Sequence, residues 1–478
     1  MNHPQYERIT KLTVKANASI KAAMRAIDSG ALGTAFIVDD DDKFVGLVTD
    51  GDIRGAILRG MMIESPVREI INTTPIVIQN ELTEEELLAL PKREHVKSKL
   101  AIGYSLKIPV LDSEARVRDI ILLHREGEKP SFLSQDEPTH LRSVKKVLVV
   151  GCAGYLGSIL TRKLISQGYK VSGLDNLMYK DSGIRELYGK EGFNFIKGDI
   201  RDLKVLMESI KGCDAAIHLA AIVGDPASKL DAEETISINY LATKAIIEVC
   251  KYSQINRLIF ASTCSVYGAS ETPGSLITEN SSLNPVSLYA EMKQKSEIAI
   301  LEALDDNFSP TVLRMATLYG LSPRMRFDLV INLLTAQAVT DGKITIFGGS
   351  QWRPLVHVND ATEAFIRCLE TPIEKVRGQV FNVGSNQQNF RILELGPILK
   401  SIIPDVKVEK REDLADMRSY STAFDKISSV LGYRTERTIQ DGILEIKHAF
   451  DKGLIEDYTD TIYSNYESLN ASSSEFQF

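Results

Sequence analysis

No apolar stretch in this chain approaches the roughly 18 residues that a membrane-spanning helix needs. No tract of lysine or arginine stands out: 56 basic residues against 64 acidic ones leave a formal net charge of −8, so nucleic acid is not an expected partner. The stretch MNHPQYERIT at the N-terminus lacks an apolar signal core. Cysteine is scarce, with five residues scattered at positions 152, 213, 250, 264 and 368 and no C-x-x-C spacing. That pattern argues against a disulfide framework or a zinc site and fits a reducing cytoplasm. A cytoplasmic protein without a metal is therefore expected.

What is present is an ordinary globular composition, 44% hydrophobic and 25% charged, spread over 478 residues. That length is more than one core usually serves, so two or more domains are expected. In residues 1–125 short helix-like and strand-like pieces alternate. SIKAAMRAIDSG has a helical apolar period, TAFIVDD and KFVGLVTD read as strands, and GDIRGAILRG reads as a helix ending in glycine. A looser copy follows in TEEELLAL and KIPVLDSEARVRDIILL, which suggests an internal repeat. Residues 126–143, EGEKPSFLSQDEPTHLRS, mix charge, proline and serine without a period and read as a linker. From residue 144 onward strand, glycine turn, helix and strand recur: KKVLVVG, YKVSGLD, FNFIKGDI, DAAIHLAA and RLIFAST are apolar runs separated by helical segments. This pattern predicts an α/β fold with a doubly wound, Rossmann-type parallel sheet. The segment from about Arg314 onward, with its mixed strands and helices, is expected to form a substrate-binding lobe.

Gly151, Gly154 and Gly157 fall between the first of these strands and its helix. Glycine permits the tight turn, and its missing side chain lets the backbone approach a pyrophosphate that the helix N-terminus then attracts. Asp175 closes the second strand, where an acid accepts hydrogen bonds from ribose hydroxyls and repels a 2′-phosphate, favouring NAD over NADP. Asp199 and Ile200 end the third strand, at a position that can meet the adenine edge. Further on, Tyr289 and Lys293 stand four residues apart in SLYAEMK, one helical turn apart on one face.

Taken together, GCAGYLG, the aspartate of GLDN, GDIRD, HLAA, STCSVYG and YAEMK resemble the extended short-chain dehydrogenase/reductase family of NAD-dependent nucleotide-sugar epimerases and dehydratases. FGGSQWRPLVHVND at 347–360 and FNVGS at 381–385 are similar to its C-terminal signatures, so the resemblance covers about residues 145–448. It implies that Tyr155, Leu156, Asn176, Leu219, Ala220 and Ala221 join the glycines at the cofactor, with Tyr289 and Lys293 reaching it as well. It also implies a nucleotide-diphosphate-sugar substrate and a homodimer or higher homo-oligomer.

The chemistry follows from the residue types. Tyr289 accepts a proton from a sugar hydroxyl as hydride leaves the carbon; a free phenol near pKa 10 is too weakly acidic for this, and Lys293 is expected to lower it. Thr263 would hold the reacting oxygen. Related 4,6-dehydratases carry an aspartate and a glutamate directly after that threonine, whereas this chain has Cys264 and Ser265. The leading expectation is therefore a C4 epimerase working through a transient 4-keto intermediate, with Ser265 beside the substrate. The alternatives are a 4-ketoreductase, a 3,5-epimerase using Cys264, and a nucleotide sensor that keeps the fold without the chemistry. His218 is expected to be structural. Arg353 and Arg418 match family positions that contact the substrate diphosphate. The segment LRMATLYGLSPRMRFD departs from the usual 4-epimerase pattern.

In the first half, GLVTDGDIR resembles the end of a CBS module, and the stretch after it resembles a second module lacking the same polar residues. The resemblance implies a CBS pair over 1–125 in which the Thr49 hydroxyl and the Asp52 carboxylate hold the phosphate and ribose of an adenine nucleotide.

Overall fold

The computed structural model describes residues 9–30, 32–79, 82–102, 105–124, 130–133, 144–269, 276–411 and 419–475. The chain divides into two compact units, Met1–Leu141 and Arg142–Phe478. Among the described residues no helix is long and apolar enough to cross a membrane.

In the N-terminal unit, β1 (Thr13–Lys15), β2 (Thr34–Val38) and β3 (Phe44–Thr49) form one sheet in that order. The helix Ile20–Gly30 buries Ile20, Ala23 and Ile27 against Ile37 and Val48, as its apolar period predicts. A second sheet contains β4 (Ile78–Gln79), β5 (Ser105–Leu111), β6 (Val117–His124) and β7 (Ser131–Phe132). β7 lies inside the stretch expected to be a linker. Phe132 pairs opposite Ile121 and Leu133 is buried, so the apolar pair in PSFL extends the sheet despite the polar residues around it.

The C-terminal unit is built on seven parallel strands: β8 (Lys146–Val150), β9 (Lys170–Asp175), β10 (Phe193–Lys197), β11 (Ala215–His218), β12 (Arg257–Thr263), β13 (Ser309–Met315) and β14 (Val380–Val383). Their order is β10-β9-β8-β11-β12-β13-β14, all neighbours parallel. Side chains alternate between two cores. Val147 and Val149 pack with Leu160, Leu164 and Phe365 on one face, and Leu148 and Val150 with Leu206, Ile246 and Val249 on the other. Strand order reverses between β8 and β11, and the crevice outside the strand ends at such a reversal is where α/β sheets bind ligands.

The lobe is not one contiguous C-terminal piece, as the sequence suggested. β13 is buried along its whole length and β14 along most of it, so both close the main sheet. The lobe is assembled from the segments between and after them. It includes the small sheet of Thr317–Tyr319, Trp352–His357 and Asn389–Arg391 and the helix Val330–Thr340.

Candidate active site

β8 ends in a turn at Gly151 with φ +88°, a conformation L side chains rarely adopt. A Cβ there would stand 2.7 Å from the Ala220 nitrogen, so the turn and the end of β11 interlock through bare backbone. Gly154 caps the helix Tyr155–Ser166 without a side-chain hydrogen bond, so no side chain at the cap occupies its first N–H groups. A Cβ on Gly157 would collide with the Gly151 carbonyl oxygen, so glycine also sets how tightly this helix meets the strand. Asp175 is half-buried at the end of β9 and accepts N–H groups from Ala153 at 2.9 Å and Leu177 at 2.8 Å. Burial pushes its carboxyl pKa up, with those two hydrogen bonds opposing. Asp199 forms two hydrogen bonds with the Arg201 guanidinium, at 2.9 and 2.7 Å, which hold its carboxyl below the usual range.

The helix Leu288–Glu302 starts at Ser287, whose hydroxyl accepts the Ala290 N–H. That start puts Tyr289 in the first turn and Lys293 in the second, both buried. The Lys293 ammonium donates to the Ala261 carbonyl at 2.7 Å and lies over the Phe260 ring. Burial pulls its pKa down to about 7, with Glu297 pulling up. Burial pushes the Tyr289 phenol well above its ordinary range, and Arg326 is the main cation opposing that shift. The sequence reading gave this role to Lys293. In the structure its ammonium donates to the Ala261 carbonyl, and the lobe arginine Arg326 is a further cation acting on the phenol. Thr263 ends β12, and its hydroxyl accepts the Ser265 N–H at 3.1 Å.

One cavity of about 620 Å³ collects these groups. Its lining contains Gly151, Gly154, Tyr155, Leu156, Gly157, Asp175, Asn176, Asp199, Ile200, Leu219, Ala220 and Ala221. It also contains Thr263, Ser265, Tyr289, Lys293 and Arg353. Every cofactor, catalytic and substrate residue expected in this unit is therefore in one place except Arg418, which lies outside the described residues. Tyr155 turns its hydroxyl to the Gly320 carbonyl at 2.5 Å, so its side chain ties the helix to the lobe. Arg353 donates to the Trp352 carbonyl at 2.8 Å and lies over the Tyr420 ring.

Cys264 is not part of the lining. The 3₁₀ turn Cys264–Tyr267 sends its thiol inward to the Arg314 carbonyl, among Val266, Tyr267, Ile277 and Tyr420, and burial pushes its pKa to about 12. A 3,5-epimerase acting through this thiol is not what the structure builds. His218 is structural as expected: it is buried against the Thr243 hydroxyl at 3.0 Å, and its pKa is lowered to about 3. Sequence reasoning missed Tyr179, Asp225, Arg324, Arg326 and Tyr420, all of which line the cavity. The two arginines were visible in PRMRFD, but nothing local says which way they point.

The description "NAD dependent epimerase/dehydratase family" matches residues 147–384. A Bacillus subtilis (strain 168) protein named as an uncharacterized UDP-glucose epimerase, YtcB, is 30% identical over 319 residues, covering 62% of this chain and 95% of the relative. The chain belongs to the NAD dependent epimerase/dehydratase family. A UDP-glucose 4-epimerase of Lactobacillus helveticus is 29% identical, covering 66% of this chain and 99% of its own. Among solved structures, the UDP-glucuronic acid 4-epimerase of Bacillus cereus, in complex with UDP-glucuronic acid and NAD, aligns with a TM-score of 0.57 at 28% identity. It covers 65% of this chain and all of that one. The glycine turn that a Cβ would fill and the carboxylate of Asp175 fit the family's cofactor, NAD. A CBS domain matches residues 8–59.

In that domain Thr49 and Asp52 are engaged with one another. The Thr49 hydroxyl donates to the Asp52 carboxylate at 2.7 Å and accepts the Asp52 N–H at 3.2 Å, a reciprocal cap on the helix Asp50–Leu58.

Proposed function

We propose that this enzyme is an NAD-dependent nucleotide-diphosphate-sugar epimerase acting at C4 through a transient 4-keto intermediate. The observation that carries the reading is the convergence of Thr263, Tyr289 and Lys293 on the cavity that also contains the glycine turn and Arg353. NAD, held by the glycine turn and Asp175, would supply a hydride acceptor able to return the hydride. Tyr289 takes the hydroxyl proton in the oxidation and gives it back in the reduction. Its buried phenol needs positive charge nearby to ionise, which Arg326 supplies, with Lys293 one helical turn away. Thr263 orients the reacting oxygen. Lys293, fixed on the Ala261 carbonyl, is placed to hold ribose hydroxyls. Elimination of water is disfavoured beside Thr263, because Cys264 faces the core and Ser265 is neutral. The likeness to 4-epimerases of UDP-sugars supports a nucleotide-diphosphate sugar as substrate.

The test is incubation with a panel of nucleotide sugars, without added coenzyme, followed by NMR. Interconversion of C4 epimers that disappears in Tyr289→Phe is the expected result. Turnover only with stoichiometric reduced coenzyme would identify a ketoreductase instead, and no turnover of any sugar would favour a sensor.

For the N-terminal unit we propose a CBS pair that binds an adenine nucleotide near Thr49 and Asp52. The domain match over 8–59 and the repeat that follows it support this. The nucleotide would have to displace the hydrogen bond between those two side chains. Calorimetry of the full chain with AMP, ADP and ATP checks it, and silence with all three refutes it.

A further inference from the structure

Arg324 is only 3% exposed, yet its Nε and Nη2 have no hydrogen-bond partner. These two N–H groups form one edge of the guanidinium, the edge that grips two oxygens of a single phosphate or carboxylate. Leaving both unpaired in a buried position is costly, and native structures rarely do so without a ligand or water in reach. The guanidinium sits 4.5 Å from the centre of the Tyr179 ring, and the Tyr179 hydroxyl is likewise buried without a partner. Both side chains line the cavity. The neighbouring Arg326 is different, since its Nε and Nη2 bind the Asp328 carboxylate at 2.8 and 2.9 Å.

The position of Arg324 says which ligand this edge would meet. A Cβ built on Gly183 would collide with the Ala153 carbonyl of the glycine turn and stand 3.2 Å from the Arg324 Cβ. Ser322, two residues earlier, donates to the Tyr155 carbonyl at 2.8 Å, at the start of the helix that follows the turn. Asp175, the ribose carboxylate, is within electrostatic reach of the guanidinium. Arg324 therefore belongs to the dinucleotide half of the cavity. A helix N-terminus offers only about half a positive charge, which leaves most of a diphosphate's charge uncompensated.

We infer that Arg324 and Tyr179 form a phosphoryl-oxygen subsite for the cofactor diphosphate, supplied in part by the lobe segment and additional to the glycine turn. The inference rests on the dinucleotide reading of the cavity. Arg324 donates its two free N–H groups to phosphoryl oxygens, and the Tyr179 hydroxyl donates a third hydrogen bond.

The experiment is calorimetric titration of the nucleotide-free, full-length protein with NAD, ADP-ribose and UDP. Arg324→Gln is expected to weaken NAD and ADP-ribose together, by roughly 10- to 100-fold, and to leave UDP unchanged. Arg324→Lys, which keeps the charge but loses the fork, should fall between. Tyr179→Phe removes only the hydroxyl and carries the test should the arginine variants not fold; it is expected to weaken NAD by about 2- to 10-fold. NAD affinity within about twofold of wild type in the folded variants overturns the inference, as does a loss confined to UDP, which would assign the pair to the substrate. Wild-type protein that binds no NAD would overturn the dinucleotide reading, and the inference with it.

Discussion

Replacing Glu297 by glutamine removes one charge from an enclosed ion pair with Arg314. Glu297 lies one turn beyond Lys293 on the same helix. Its carboxylate accepts Arg314 Nη2 at 2.7 Å and Nε at 3.1 and 3.2 Å, and also the Ser262 hydroxyl. The two side chains are 2% and 5% exposed. Glutamine preserves the volume but leaves the guanidinium buried without a countercharge. Its remaining partners, the Tyr267 hydroxyl at 2.9 Å and the Glu279 carbonyl at 3.2 Å, are neutral. Breaking a buried pair from one side costs about 3–5 kcal/mol. Urea unfolding should show a loss of that size, and the double variant Glu297→Gln/Arg314→Met, which removes both charges, should recover much of it. A second readout comes from Lys293, whose pKa Glu297 props up against burial. Without that support the lysine loses its proton at lower pH, so the limb of the kcat/KM profile that reports it should move to lower pH. A stability loss under about 1 kcal/mol, or strict additivity in the double variant, would refute the idea that the paired charge is what Arg314 requires.

Lys293 also predicts a pH dependence of stability. Burial takes its pKa from 10.5 to about 7, so across that window the unfolded chain holds a proton the folded chain has released. Stability should therefore rise with pH through the window, by up to about 1.4 kcal/mol per pH unit. Lys293→Met should flatten this contribution in urea titrations at several pH values, and an unchanged slope would contradict the burial argument. Gly151→Ala is expected to cost more than about 1 kcal/mol, since it combines a positive φ with a clash on Ala220, and to abolish retention of NAD through purification. Thermal unfolding and the absorbance of bound nucleotide read the two effects. Cys264→Ala should keep turnover of a confirmed substrate within about threefold while losing roughly 1 kcal/mol of stability. A hundredfold fall in turnover would return the thiol to the chemistry.

The features legible in the sequence are those set by local rules. The glycine turn, the alternation of β8 between two cores and the helical spacing of Tyr289 and Lys293 each depend on a few adjacent residues. The sequence was less informative where the answer is a long-range contact. The strand β13 has its sheet partners β12 and β14 dozens of residues away, so the lobe boundary expected at about Arg314 cuts through it. Arg324 and Arg326 are two residues apart in a segment outside any helix or strand, yet Arg326 pairs with Asp328 and Arg324 stacks on Tyr179, far earlier in sequence. Cys264 follows Thr263 directly, and only the 3₁₀ turn after β12 decides that one faces the cavity and the other the core. Thr49 and Asp52 carry a helix-capping signature as well as a CBS one, and that spacing alone does not separate the two.

The cavity walls come from two sources with different freedom to vary. Its dinucleotide floor is made by strand ends and bare backbone, where Gly151 locks against Ala220, so a side chain there would push apart the ends of the paired strands β8 and β11. Phe347, Gln351, Arg353 and Tyr420 stand on lobe segments outside that sheet. Substitutions in the lobe can therefore accumulate and reshape that side of the pocket while the dinucleotide floor stays intact. For anyone redesigning the enzyme, a combinatorial library belongs at Phe347, Gln351 and Tyr420, and the glycine turn and Arg353 should be left alone.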